Sequence, residues 1–353
     1  MRAIAFSDLH AHPHRFGGVI AEDGRHSRLS DCLRVLDQTR EAANNYRASV
    51  RLFCGDMFHV RGKLTPSVIN PVIEHFQRGG NTFRDFILVG NHDMENRESG
   101  EHAVRMLSPY ATILEDYGFQ RSEVNGELVD IGWVAYAPDV KALKERVKEV
   151  AAMARATREA GVPSFFLLHH GVDGAMPGIP DMGFTPMDLP HDSFDYILCG
   201  DYHKHAELIP SKAWMIGAPL QHSFGDIGQK RGWMAIDTET KAVEFVENTQ
   251  APKFIGWDGA EGEPAAGNFV RIRSEDQDDL KALAAKALAD GALATNEELV
   301  RSIQAAKRAD VMLSMTTKQL FKSWIDGEDE IAAAQKTRVT TLNDDILAAV
   351  GVS

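Results

Sequence analysis

Residues 1–10, Met1-Arg2-Ala3-Ile4-Ala5-Phe6-Ser7-Asp8-Leu9-His10, decide the fold. Ala3–Phe6 is an apolar run of strand length that stops on a polar turn carrying a carboxylate and an imidazole two residues apart. A strand that is apolar on every residue is covered on both faces, as in the interior of an α/β sheet; a strand with one face in water alternates instead. The same pattern returns along the first part of the chain. Val50–Cys54 runs into Gly55-Asp56, Phe86–Val89 into Gly90-Asn91-His92-Asp93, Ser164–Leu168 into His169-His170, and Tyr196–Cys199 into Gly200-Asp201-Tyr202-His203. Between these runs, Leu29–Tyr46, Pro66–Phe76 and Val140–Glu159 are amphipathic with helical spacing. Alternating strand and helix predicts a layered α/β domain. Ala213–Ile216, Trp233–Ile236 and Val243–Val246, with a hairpin at Asn125-Gly126, predict a pair of mixed sheets rather than one parallel sheet.

The chain has 353 residues, more than one core usually holds, so a large domain over residues 1–250 is expected with a smaller one behind it. With 44% hydrophobic and 25% charged residues it has the composition of a soluble globular protein, which excludes disorder, collagen and coiled coil as the main architecture. The net charge of -13 argues against holding nucleic acid by bulk electrostatics, and leaves room only for a local basic groove or a partner that supplies one. Cys32, Cys54 and Cys199 are widely spaced and form no CxxC pair, which fits reduced thiols and a cytoplasmic location. No run approaches the roughly 18 apolar residues of a membrane span, and no signal peptide is read, so no membrane partner is expected. Residues 251–267, crowded with glycine and proline, read as a linker. A cap is expected over 268–310, with a strand at Phe269–Arg273 and helices at Asp278–Ala289 and Glu297–Arg308, and a helical arm over 311–353, with helices at Thr317–Ile325 and Leu342–Val350.

Side chains at the carboxyl ends of strands converge in open α/β sheets, so the five polar turns can share one site. Carboxylate, amide and imidazole together suit borderline-hard divalent ions, Mn²⁺ foremost, with Fe²⁺, Mg²⁺ and Zn²⁺ as alternatives. A lone Asp-x-His or Gly-Asp is an ordinary turn. Five such turns at successive strand ends point to a metal centre.

This series resembles the D-x-H, G-D, G-N-H-[DE], H and G-H-x-H pattern of the calcineurin-like metallophosphoesterase superfamily. Within it the chain is most similar to the SbcD-type DNA repair exonuclease subunits and their archaeal and eukaryotic double-strand-break-repair relatives. The similarity lies in Gly55-Asp56-Met57-Phe58-His59, in Leu168-His169-His170-Gly171, and in Ile216-Gly217-Ala218-Pro219 with Ser223-Phe224-Gly225-Asp226 and Lys230-Arg231-Gly232. The resemblance implies a four-layer α/β/β/α sandwich with a small C-terminal α+β cap and a helical arm. It implies two divalent ions, most of all Mn²⁺, with Mg²⁺ or Fe²⁺ as alternatives: Asp8, His10, Asp56 and His203 on one, Asp56, Asn91, His169 and Asp201 on the other. His92 is then the catalytic acid with Asp93 orienting it, and His59 is a substrate contact; Arg61, a basic residue just after that motif, is expected to meet the substrate with it. The function implied is a two-metal phosphodiester hydrolase, a DNA exo- or endonuclease subunit. Its partners would be DNA, an SbcC-like ATPase docked on the C-terminal arm, and a second copy in a homodimer. The rival readings are a small-molecule or cyclic-nucleotide phosphodiesterase or phosphatase of the same superfamily, and a non-catalytic DNA-end scaffold.

Asp201 departs from the pattern, which has histidine there. A carboxylate at that place favours Mn²⁺ or Mg²⁺ over Zn²⁺, unless His205 takes the ligand role and Asp201 only caps the turn. His170 is the alternative to His169. Arg61, Lys63, Arg97, Lys230 and Arg231 could form a basic rim, and His12, His14 and His26 read as surface polarity. Trp133, Trp214 and Trp233 read as packing residues.

Overall fold

The computed structural model describes residues 1–78, 82–96, 100–176, 178–259, 264–300, 316–326, 331 and 333–349. In chain order its elements begin with β1 (Arg2–Phe6), α1 (Ser27–Tyr46), β2 (Val50–Phe53), α2 (Pro66–Gln77), β3 (Arg84–Leu88) and β4 (Thr112–Leu114). They continue with β5 (Tyr117–Val124), β6 (Glu127–Val134), α3 (Val140–Thr157), β7 (Ser164–His169), β8 (Tyr196–Gly200), β9 (Ala206–Ile209) and β10 (Ala213–Met215). Next come β11 (Gly232–Asp237), β12 (Ala242–Glu247), β13 (Phe254–Gly256), β14 (Phe269–Ser274), α4 (Gln277–Ala289), β15 (Ala294–Leu299), α5 (Thr317–Asp326) and α6 (Ala333–Ala349).

Two mixed six-stranded sheets carry the fold, one ordered β12-β11-β1-β2-β3-β4 and the other β5-β6-β7-β8-β10-β9. The inner strands of each run parallel, while β11, β12, β5 and β9 are antiparallel to their neighbours. Strand alternation sorts the core into layers. Phe165 and Leu167 of β7 join the core shared with β1, β2, α1 and α2, whereas Phe166 and Leu168 face a second core with Leu143, Val147 and Val150 of α3. The order of layers is therefore helix, sheet, sheet, helix, the expected four-layer sandwich. Asn125 and Gly126, both at positive φ (53° and 81°), make the tight turn between β5 and β6.

A buried ion pair lies inside this core. Arg51 of β2 donates from Nε to Asp85 Oδ1 at 2.6 Å and from Nη1 to Leu36 O and Thr39 Oγ1 at 3.3 Å, between the rings of Phe6, Phe76 and Phe83. A buried cation stripped of its partner keeps its desolvation cost, so Asp85→Ala should destabilise the protein by about 3–5 kcal/mol. Urea unfolding checks this; a loss under ~1 kcal/mol would mean that water reaches Arg51.

Past residue 250 the structure differs from expectation in three places. The segment read as a linker contains β13, because Phe254 and Ile255 are buried, Phe254 in an aromatic cluster with Phe16, Phe224 and Phe269. The helix expected from Glu297 is instead the end of strand β15 up to Leu299; residues 301–308 lie outside the described part. Glu297 and Glu298 are good helix formers, but Glu298 faces Arg271 at 3.8 Å and Arg273 at 2.7 Å on β14, and cross-strand pairing outweighs propensity. Helix α6 also starts earlier than Leu342. A small core of Ile255, Val270, Ile272, Leu280, Ala284 and Ala287 closes the three-stranded sheet β13-β14-β15 against α4. Ser274–Gln277 and Leu299–Ser353 make a separate unit, in which α5 buries Ile325 and Lys318 pairs with Asp344 of α6 at 2.9 Å.

Candidate metal centre

The carboxyl ends of β1, β2, β3, β7 and β8 bring the five polar turns together. Asp8, His10, Asp56 and Asp201 all adopt left-handed backbone, with φ of 54°, 49°, 64° and 96°. Such strain in residues with a Cβ persists only where the surroundings hold it. Here the first two turns are laced together: Asp8 N–H donates to Gly55 O and His10 N–H to Asp56 O, both at 3.0 Å, and Ala11 N–H to Met57 O at 2.9 Å. Gly90 is required by close approach, since a Cβ there would lie 2.2 Å from both the amide nitrogen and Oδ1 of Asp56.

Two donor sets meet at Asp56. On one side His10 Nε2 lies 3.0 Å from His203 Nε2 and 3.5 Å from Asp56 Oδ2, with Asp8 in the same group. On the other, His169 Nε2 lies 3.3 Å from Asp56 Oδ1, 3.3 Å from Asn91 Oδ1 and 3.9 Å from Asp201 Oδ1. His169 Nδ1–H donates to Cys54 O at 2.6 Å, which turns Nε2 toward these oxygens.

The electrostatics ask for added positive charge. Burial, with the neighbouring Asp56 charge, raises Asp8 to about 7. Burial would raise Asp56 as well, but His169 holds it below the ordinary range, and the surrounding carboxylates hold His169 well above its own against the effect of burial. His10 and His203 are drawn down by burial and so stay neutral, with lone pairs to offer. Buried carboxylates beside neutral imidazoles and a carboxamide oxygen fit divalent cations, which would supply the missing charge.

Other expected residues fall differently. Asp93 does not orient His92. Its carboxylate accepts from the backbone N–H of Asp56 (3.0 Å), Phe58 (3.0 Å) and Gly90 (2.9 Å), clamping the second and third turns together. His92 Nδ1–H donates instead to His59 O at 2.6 Å, and its backbone N–H to Asp56 Oδ1 at 2.8 Å. His59 stacks on His92 at 5.5 Å, and Arg61 donates from Nε to Asn91 O at 2.7 Å. His170 packs against Tyr136 and Phe184, and His205 stacks on Phe245 with Nδ1–H on Ile216 O, so both lie off the cluster.

Of the residues expected in the basic rim, Arg231 is instead buried on Asp226 and donates to His203 O, Lys230 pairs with Glu247, and Arg97 lies outside the described residues. Trp214 and Trp233 are buried. Cys32, Cys54 and Cys199 are buried free thiols. Among the described residues no helix is long and apolar enough to cross a membrane.

Two histidines join the site that sequence reading passed over. His14, taken for surface polarity, donates from Nε2 to His10 O at 3.2 Å, and His222 donates from Nε2 to Asp8 O at 3.1 Å. The signal for His222 was its place between Ile216-Gly217-Ala218-Pro219 and Ser223-Phe224-Gly225-Asp226, two segments of the family resemblance.

Asp201→His should shift metal preference toward Zn²⁺ over Mn²⁺, since it exchanges a hard oxygen for a nitrogen donor beside His169. Competition titration of the two metals checks it, and an unchanged preference would remove Asp201 from the ligand set.

A family model described as calcineurin-like phosphoesterase matches residues 1–205. No curated protein matches the sequence. Among solved structures, the NAD nucleotidase of Haemophilus influenzae is similar at 14% identity over 70% of this chain and 49% of that one, with a TM-score of 0.39. A hypothetical protein from Thermus thermophilus is similar at 15% identity over 70% of this chain and 97% of that one, also with a TM-score of 0.39. The chain thus spans about half the length of the nucleotidase structure.

Proposed function

The chain belongs to the calcineurin-like phosphoesterase family, which implies a metal-dependent phosphoesterase, and from that premise we propose that it hydrolyses phosphodiesters, with DNA as the substrate class. The observation that carries the diester reading is the neutrality of the imidazoles that flank the cluster, His59 and His14. A phosphomonoester arrives as a dianion and is usually met by Arg or Lys, whereas a diester carries one charge. Burial, then neighbouring imidazoles, draws His59 down to about 4 and His14 to about 3, so the imidazoles beside the cluster are neutral.

Asp8, His10, Asp56 and His203 would hold one cation and Asp56, Asn91, His169 and Asp201 the other, with Mn²⁺ the expected metal. When bound, such a pair neutralises phosphate oxygens and lowers the pKa of water. With Nδ1–H fixed on His59 O, His92 has Nε2 as its working nitrogen and gives the proton to the leaving ester oxygen. His59, stacked on His92, bonds the diester.

DNA is favoured by the similarity of Gly55-Asp56-Met57-Phe58-His59 and Ser223-Phe224-Gly225-Asp226 to the SbcD-type subunits. The partner proposed with it is an SbcC-like ATPase docked on the C-terminal helices, since α6 exposes Val339, Leu342 and Ile346 along one face. Deleting residues from Thr316 onward should leave Mn²⁺-dependent cleavage of bis-p-nitrophenyl phosphate near wild type and remove ATPase-stimulated DNA degradation. Unchanged co-purification with the ATPase would count against that docking.

The net charge of -13 favours a second reading, a small diester such as a cyclic nucleotide. Assay with Mn²⁺ on linear double-stranded DNA, single-stranded DNA, a cyclic nucleotide and bis-p-nitrophenyl phosphate separates the two. Hydrolysis of none of these would leave a non-catalytic scaffold.

A further inference from the structure

Asp8 and His10 are both held in left-handed backbone, and each needs its peptide groups anchored to stay there. Their N–H groups are taken by the carbonyls of Gly55 and Asp56. Their carbonyl oxygens are taken by imidazoles: His222 Nε2 lies 3.1 Å from Asp8 O, and His14 Nε2 lies 3.2 Å from His10 O. A carbonyl only accepts, so each Nε2 carries the proton and donates.

We infer that His14 and His222 are positioning residues that hold the Asp8-Leu9-His10 turn in the backbone geometry from which Asp8 and His10 bind metal. The inference rests on the reading of those two residues as ligands.

The surroundings of His222 support it. Its own backbone N–H donates to Asp226 Oδ2 at 2.8 Å. The same carboxylate accepts from Arg231 through Oδ1 at 2.5 Å, and Arg231 donates to the carbonyl of His203. One buried acid thus braces both the residue that caps Asp8 and the turn that carries His203. The Nδ1 of His222 is buried with no hydrogen-bond partner. Burying an unfilled nitrogen is costly, so an apolar ring would serve better if packing were the only role; what the imidazole adds is the bond from Nε2. Its ring lies 5.1 Å from His203 and 5.3 Å from His10, and His14 lies 5.7 Å from His222. The two capping histidines therefore flank the nitrogen-rich side of the cluster, and the bond each makes is of the kind that orients metal ligands from behind.

The test is calorimetric titration of the chelator-treated full-length protein with Mn²⁺. His222→Leu and His14→Leu should each weaken Mn²⁺ binding roughly 10–100-fold, the usual range for loss of such support. His222→Gln and His14→Gln, whose amide N–H can reach the same carbonyls, should bind close to wild type. Thermal unfolding of the metal-free proteins should not follow this Leu–Gln split, as it would if the residues served stability alone. Equal Mn²⁺ affinity in the Leu and Gln variants overturns the inference. If His222→Leu does not fold, the His14 pair decides by the same comparison, since His14 lies at the partly exposed side of the site. A wild-type protein that binds no Mn²⁺ overturns the ligand reading itself, a result distinct from equal binding by all variants.

Discussion

Asp56→Asn is expected to strip the protein of most of its metal and bring phosphodiester hydrolysis to background. Asp56 gives one oxygen to each donor set, Oδ2 at 3.5 Å from His10 Nε2 and Oδ1 at 3.3 Å from His169 Nε2. Asparagine keeps the shape but loses the charge and turns one acceptor into a donor, so both sets lose an anionic ligand at once. The loss also reaches His169, which is held above its ordinary pKa chiefly by Asp56 against its burial. Asn91→Ala touches the His169 set only and should leave the other metal in place. Metal content by mass spectrometry, with Mn²⁺-dependent turnover of bis-p-nitrophenyl phosphate, compares the two. Equal losses would show that Asp56 does not bridge.

His92→Asn is expected to lower turnover by roughly two to four orders of magnitude while leaving metal content and fold intact. Asparagine can keep the donor that His92 Nδ1 offers to His59 O, and the backbone N–H that holds Asp56 Oδ1 is unaffected by the side chain. What it lacks is a second ring nitrogen able to carry a proton to the leaving oxygen. Metal lost from this variant would make His92 a ligand rather than an acid. Asp93 has no part in this expectation, because its oxygens are engaged by three backbone N–H groups, and replacing it would loosen the turns that carry Asp56 and Asn91.

Much of the molecule is legible in the amino-acid sequence. Buried strands announce themselves as short uniformly apolar runs, and turns that end in Gly-Asp or Gly-Asn-His cannot continue a strand. Both signals are local, which is why the layered fold and the gathering of Asp8, His10, Asp56, Asn91, Asp201 and His203 at one edge follow from the chain alone. Where the sequence offered two neighbours, it could not choose. His169 and His170 are chemically alike and adjacent, yet successive side chains of a strand point to opposite faces. His169 continues the series of Phe165 and Leu167 toward the other sheet and the candidate metal centre, and His170 continues Phe166 and Leu168 toward the α3 side, where it meets Phe184. Which face holds the site is a property of how the sheets stack.

Tertiary structure decided the rest for similar reasons. Glu297 and Glu298 carry helical propensity, but the arginines that turn this segment into a strand stand on β14, more than twenty residues earlier. Asp93 reads as a partner for the histidine beside it until the fold brings the N–H groups of Asp56 and Phe58 within 3.0 Å of its oxygens. His222 stands far along the chain from Asp8, and no spacing rule joins them. The candidate ligand types and the strand ends that carry them were written in the local pattern; the groups bonded to them from behind come from distant segments, and only packing, which buries one face of each strand and strains the turns above it, brings them there.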